Sequence, residues 1–147
     1  MQSILRGRIK FLVISEQPEN SEFTSIDCVN AILDLGVAAD SIQTWVNIGK
    51  KMETIELLKN WQGQFEKFDF FIILPGGAET LAQISYMINA RIISDGAKHF
   101  YFLGDSWRNV IEKMFETNVF ESTDRVFITT SSKIDEFAKS VKERFVS

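Results

Sequence analysis

The sequence predicts a single α/β domain with a Rossmann-like, doubly wound and mainly parallel sheet of five strands that carries helices on both faces. Short apolar segments alternate with longer segments of helical periodicity, which is typical of βαβ crossovers. The length of 147 residues is the usual size of one domain. The most apolar segment ends in a Pro-Gly-Gly turn, at residues 75–77, directly before a helical pattern.

The first half of the chain contains two predicted strands and two predicted helices. Ile9–Ser15 is a β-rich run bounded by polar residues, as expected of a strand buried on both faces. Ser25–Leu35 has apolar residues at helical spacing and is followed by Gly36, a residue that commonly ends helices. Ile42–Ile48 is the second predicted strand and Lys50–Phe65 the second predicted helix.

The second half repeats this alternation. Phe68–Leu74 is almost wholly apolar and predicts a buried strand, and the next helix runs from about Glu79 to Ile92. That helix has one apolar stripe, formed by Leu81, Ile84, Ile88 and Ile92. The remaining elements are predicted as strand, helix, strand and helix, at Phe100–Leu103, Trp107–Phe115, Val126–Thr129 and Ser132–Phe145.

The fold class limits where a ligand can bind. In doubly wound sheets, ligands bind beyond the carboxyl ends of the strands, at the point where the strand order reverses. The candidate segments are therefore the loops after Ser15, Ile48, Leu74, Leu103 and Thr129.

The charge pattern disfavours nucleic acid as a partner. The chain carries a net charge of -4, and its lysines and arginines are scattered, whereas nucleic-acid binders present a basic face. No apolar run approaches the roughly 20 residues of a membrane span, and residues 1–10 lack the apolar core of a signal peptide. We therefore expect a cytoplasmic protein that binds neither nucleic acid nor a membrane.

The chain has one cysteine and one histidine. A single thiol cannot form an internal disulfide. Because Cys28 lies among Ile26, Val29 and Ile32, we expect it to be a small buried apolar residue. His99 is expected on the surface or in a loop, and the two residues have no zinc-binding spacing. No metal or cofactor is predicted.

The segment Leu74–Thr80 has the pattern of an anion-binding turn. Two adjacent glycines, Gly76 and Gly77, allow a sharp turn and the close approach of a ligand to main-chain N–H groups. The helix that follows offers free N–H donors and the positive end of its dipole, which suit phosphate. A tight strand-to-helix turn without a ligand has the same pattern, so the spacing leaves both interpretations open.

The stretch Phe68–Ser94, FDFFIILPGGAETLAQISYMINARIIS, resembles the cytokinin-activating phosphoribohydrolases of the Lonely Guy type, a superfamily also described as lysine-decarboxylase-like. The hallmark of that family is Pro-Gly-Gly-x-Gly-Thr-x-x-Glu after a strand. The resemblance continues more weakly to about Phe145, and residues 50–52 stand where the family has an Arg-Lys pair.

The resemblance implies a Rossmann-like homodimer that hydrolyses the N-glycosidic bond of a nucleoside 5′-monophosphate. The glycine loop and the helix N-terminus would hold the phosphate, and the motif glutamate and upstream arginine would act in cleavage, where a carboxylate stabilises positive charge on the sugar. The candidate binding residues are Pro75, Gly76, Gly77, Ala78 and Thr80, with Ser15 and Asp105 at predicted strand ends; the candidate catalytic residues are Glu79, Gln83 and Lys50.

The chain departs from the family at the residues that matter most. Glu79 replaces the third glycine, Gln83 replaces the glutamate, and Lys50 stands in place of the arginine. A neutral Gln83 cannot act as a general base. Glu79 could point inward and repel phosphate, cap the helix N–H groups and so fill the phosphate position, or point to solvent.

The first half departs as well. Family members have a Gly-Ser turn after the first strand, whereas this chain continues Ile14-Ser15-Glu16-Gln17 without glycine. Family members also have a second glycine-rich turn before the region matched here, and this chain has only about 30 residues between the first predicted strand and the next, so a strand–helix unit or more of the family is missing.

A second family shares the Pro-Gly-Gly turn. The glutamine-amidotransferase-like proteins of the DJ-1 type place a nucleophilic cysteine after a later strand, where this chain has Gly104-Asp105-Ser106. Ser106 is better interpreted as a helix N-cap than as a nucleophile, since His99 would lie at the opposite end of the strand.

The residues around Ser106 have ordinary structural interpretations as well. Asp105 could contact a ribose hydroxyl of a ligand or could serve the turn beside Gly104. Trp107 is expected to anchor the core and not to stack on a bound base. Residues 121–125 are expected to form a solvated polar connection.

Two functions remain from the sequence. The favoured one is a degenerate nucleotide-binding-type domain, a sensor or non-catalytic subunit. The alternative is an active nucleotide N-glycosidase in which Glu79 takes over the carboxylate role. Self-association, as a dimer, is expected in either case through the helix after the motif, where Tyr86 and Met87 are expected to be exposed beside the apolar stripe.

Overall fold

The computed structural model describes residues 9–16, 24–47, 67–89 and 98–146. Its strands are β1 (Phe11–Glu16), β2 (Ile42–Asn47), β3 (Phe70–Ile73), β4 (His99–Leu103) and β5 (Ile128–Ser131). Its α-helices are α1 (Ser25–Asp34), α2 (Ala78–Asn89), α3 (Asp105–Glu116) and α4 (Ile134–Val146). The predicted helix Lys50–Phe65 lies outside the described residues.

The strands form one sheet in the order β2-β1-β3-β4-β5. Every neighbouring pair is parallel, and Ile14 of β1 lies between Trp45 of β2 and Ile73 of β3. The predicted α/β class, with a doubly wound parallel sheet of five strands, is confirmed. The strand order reverses between β1 and β3, so the switch point lies at the carboxyl ends of these two strands.

The sheet separates two apolar layers because side chains alternate along each strand. One layer packs against α2 and α3, and its helical residues include Ile84, Met87, Trp107 and Ile111. The other packs against α1 and α4, through residues that include Cys28, Ile32, Phe137 and Val141. Cys28 is buried as predicted, whereas Ile26 in the same helix is 69% exposed.

His99 is not the surface or loop residue that the sequence predicts. It begins β4, is half-buried, and its ring stacks on Phe70 at a centroid distance of 5.1 Å. Phe70 also stacks on Phe11 and Tyr101, at 5.0 and 5.7 Å. The imidazole thus extends an aromatic row across the sheet, where its flat apolar faces are used for packing.

Several predicted boundaries differ from the structure by one or two residues, and two of these differences change an interpretation. Val126 was expected to begin the fifth strand, but Ser122–Val126 form a 3-10 helix and β5 begins at Ile128. Ser106 is not an N-cap, because α3 begins one residue earlier and its N-cap is Gly104, at φ 104°. Glycine readily adopts a positive φ, so the helix begins directly after Gly104, closer to the end of β4 than predicted.

Residues 121–125, which were expected to form a solvated polar connection, also contact α3 through Arg125. Arg125 donates two hydrogen bonds to Glu112, at 3.0 and 3.1 Å, and its guanidinium lies 4.0 Å from the centroid of Phe115. The hydrogen bonds from Arg125 lower the pKa of Glu112 below its ordinary value. This contact ties the connection before β5 to α3.

Across the described ranges, no helix is long and apolar enough to cross a membrane.

Gly36 ends α1 in a conformation that disfavours other residues. Its φ is +95°, and an added Cβ would meet no atom within 4 Å, so any cost of substitution comes from backbone strain. We expect Gly36→Ala to lower the free energy of unfolding by about 1 kcal/mol, and Gly36→Asn to cost less because asparagine tolerates positive φ better. Denaturant unfolding of both variants tests this, and an alanine variant as stable as the native chain would contradict it.

Candidate functional site

The turn after β3 is fixed from two sides. The Leu74 N–H donates to the Ile14 carbonyl at 3.0 Å, which continues the β1–β3 pairing to the end of the strand. The Trp107 indole N–H donates to the Leu74 carbonyl at 2.6 Å, and Trp107 is 4% exposed. Trp107 is therefore a core anchor, as predicted, and it holds the turn against α3.

The helix that follows this turn begins at a residue without a side chain. Gly77 precedes α2, and its carbonyl accepts the Leu81 N–H at 3.1 Å, which makes Gly77 the N-cap. An N-cap serine, threonine, aspartate or asparagine normally accepts the N–H of the second or third helical residue through its own side chain. Gly77 cannot do so, and the donors at the start of α2 need another acceptor.

Glu16 supplies that acceptor. It is the last residue of β1, and its Oε1 atom accepts the Thr80 N–H at 3.1 Å and the Thr80 hydroxyl at 2.6 Å. Thr80 is the third residue of α2 and is fully buried. A carboxylate from β1 thus occupies the position of an N-cap side chain, and hydrogen bonds to a charged acceptor are the stronger kind.

The two glycines make room for this carboxylate. A Cβ added to Gly76 would lie 3.0 Å from both Glu16 Cδ and Thr80 Oγ1, closer than such atoms can approach without movement. A Cβ added to Gly77 would lie 3.6 Å from Glu16 Oε2, an ordinary contact. Gly76 is therefore the position at which absence of a side chain is required.

Among the described residues, hydrogen-bond donors and not a cation contact the Glu16 carboxylate. No ion pair to Glu16 occurs within the part of the chain that the structure describes. The carboxylate instead faces the N-terminus of α2, whose dipole presents partial positive charge. This electrostatic environment is the one that phosphate finds at glycine turns.

The predicted binding residues separate into two groups. Gly76 and Thr80 contact Glu16, and Ala78 is the first residue of α2 beside them. Pro75 is buried next to them in the turn. This group lies at the switch point that the fold predicts for a ligand.

Ser15 and Asp105 lie apart from that group. Ser15 precedes Glu16 in β1, so its side chain lies on the opposite face of the sheet. It is 1% exposed, and its Oγ atom has no hydrogen-bond partner among the described residues. Asp105 is exposed at the start of α3, after β4.

The three candidate catalytic residues are only partly described. Gln83 lies one turn after Thr80 in α2 and is fully buried. Glu79 belongs to the first turn of α2, but its side chain lies outside the described part, and so does the whole of Lys50. Capping of the helix N–H groups is one of three positions that the sequence left open for Glu79, and at Thr80 the acceptor is Glu16.

The remaining predictions concern residues outside the turn. Ser106 lies in the first turn of α3, whereas His99 is the first residue of β4, at the other end of that strand, so the structure gives no support to a Ser-His pair. Met87 was expected to be exposed at a dimer surface, but it is fully buried against the sheet. The Tyr86 side chain lies outside the described part. Nowhere in the described segments do three or more His, Cys, Asp or Glu residues cluster as a metal site would require.

Sequence reasoning missed Glu16, although two signals pointed to it. The loop after the first strand was among the places to search, and an acidic residue follows the apolar run there. The second signal is that no glycine follows β1, so a side chain there can reach the turn after the neighbouring strand β3.

The different surroundings of the two glycines give a matched pair of substitutions. Gly76→Ala is expected to lower the free energy of unfolding by about 1–3 kcal/mol, because the new Cβ forces Glu16 or Thr80 to move. Gly77→Ala is expected to cost less than about 1 kcal/mol. Equilibrium unfolding in denaturant tests both, and equal costs would contradict the close approach at Gly76.

The Thr80 hydroxyl provides a second test of the contact. Thr80→Val keeps the shape but removes the donor at 2.6 Å from Glu16, and we expect a loss of about 1–2 kcal/mol in unfolding free energy. Thr80→Ser, which retains the hydroxyl, is the control. In a Glu16→Ala background the cost of Thr80→Val should fall below half, and an unchanged cost would show that Thr80 acts through other contacts.

Comparison of the chain with protein-family models, curated proteins and solved structures gives no match. The interpretation of the site therefore depends on its geometry.

Proposed function

We propose that this chain is a non-catalytic domain of the nucleotide-binding type, a sensor or a subunit of a larger assembly, whose phosphate position is occupied by its own Glu16 carboxylate. The observation that carries the proposal is the pair of hydrogen bonds from Thr80 to Glu16 Oε1, at 3.1 and 2.6 Å. The donors that would bind a phosphate oxygen at the start of a helix bind a carboxylate oxygen here.

Charge supports this interpretation. Two negative charges about 4 Å apart near a surface repel by roughly 4 kcal/mol at an effective dielectric of 20, which corresponds to about a thousandfold in affinity. A phosphate cannot share the turn with Glu16 at that distance without this penalty. A phosphorylated ligand therefore has to displace the carboxylate from Thr80 before it can bind.

The residues in α2 support the absence of turnover. Gln83 stands where the resembled hydrolases have a glutamate, and it is neutral and fully buried. An amide can donate or accept a hydrogen bond, but it cannot act as a general base or stabilise an oxocarbenium ion by charge. The Glu16 carboxylate is held in a structural contact with Thr80.

One observation favours a second candidate, an active nucleotide N-glycosidase. A carboxylate is present at the glycine turn, although it comes from β1 and not from α2. A carboxylate beside the anomeric carbon stabilises the positive charge that develops when a ribosyl bond breaks. In this candidate Glu16 performs the role that the sequence assigned to Glu79.

Location and self-association complete the proposal. The one cysteine, Cys28, is buried, and a single thiol forms no internal disulfide, which fits a reducing compartment such as the cytoplasm. A homodimer remains a prediction, and the burial of Met87 removes one of the two side chains on which it was based. The solution mass of the chain tests it directly.

The deciding experiment is calorimetric binding of inorganic phosphate and AMP to the native chain and to Glu16→Ala. Removal of the carboxylate frees the Thr80 donors, and we expect the variant to bind both anions at least about tenfold more tightly than the native chain. Chromatography of AMP after prolonged incubation should show no free base for either protein. Glu16→Gln, which keeps the shape without the charge, should have an intermediate affinity.

Asp34→Asn is the matched control, because it removes one exposed carboxylate far along the chain from the turn. It should leave anion binding unchanged. Anion affinity that does not rise in Glu16→Ala would contradict the proposal. Release of free base by the native chain and its loss in Glu16→Gln would establish the N-glycosidase instead.

A further inference from the structure

We draw no further inference here: the strongest candidate, the apolar groove on the outer side of α3 around Val110 and Met114, carries none, because nothing in the structure shows what covers it and the lysine that lines it, Lys113, already pairs with a glutamate of the same helix.

Discussion

The donors at the start of α2 must be satisfied, and the residue at the N-cap has no side chain with which to do it. That requirement connects the parts of the site. Glu16 at the end of β1 supplies the acceptor, which brings β1 and the β3 turn together beyond their last paired residues. Gly76 must then lack a Cβ, and the Trp107 indole fixes the carbonyl that precedes the turn. One long-range cap thus determines the shape of the switch point.

The contact between Glu16 and Thr80 also concerns which negative group, a phosphate or the chain's own carboxylate, lies at the glycine turn. Glycine turns before helices attract phosphate because N–H donors and a dipole point at one place. In this chain a carboxylate occupies that place, so the positive end of α2 stabilises an internal charge. Among the described residues no cation pairs with Glu16. In the function that we propose, the turn therefore keeps its fold but no longer prefers an anion.

The fold was predictable from the sequence, and the centre of the site was not. Apolar runs such as Phe68–Leu74 predict strands because a strand buried on both faces has to be apolar throughout, and helical spacing identified α1 and α2. Boundaries failed where a glycine or a 3-10 helix moved them, as at Gly104 and Val126. The contact between Glu16 and Thr80 spans 64 positions, and no local pattern encodes which polar residue caps a distant helix.

The position of β1 has a consequence for synthesis on the ribosome. Phe11 to Ile14 are buried on both faces of the sheet, yet β3 and the helix that Glu16 caps are translated much later. At about 5–20 residues per second, the 64 positions between Glu16 and Thr80 correspond to roughly 3–13 s. During that interval the nascent chain exposes this apolar strand without one of its two neighbours, a situation in which chaperone contact would protect it from aggregation.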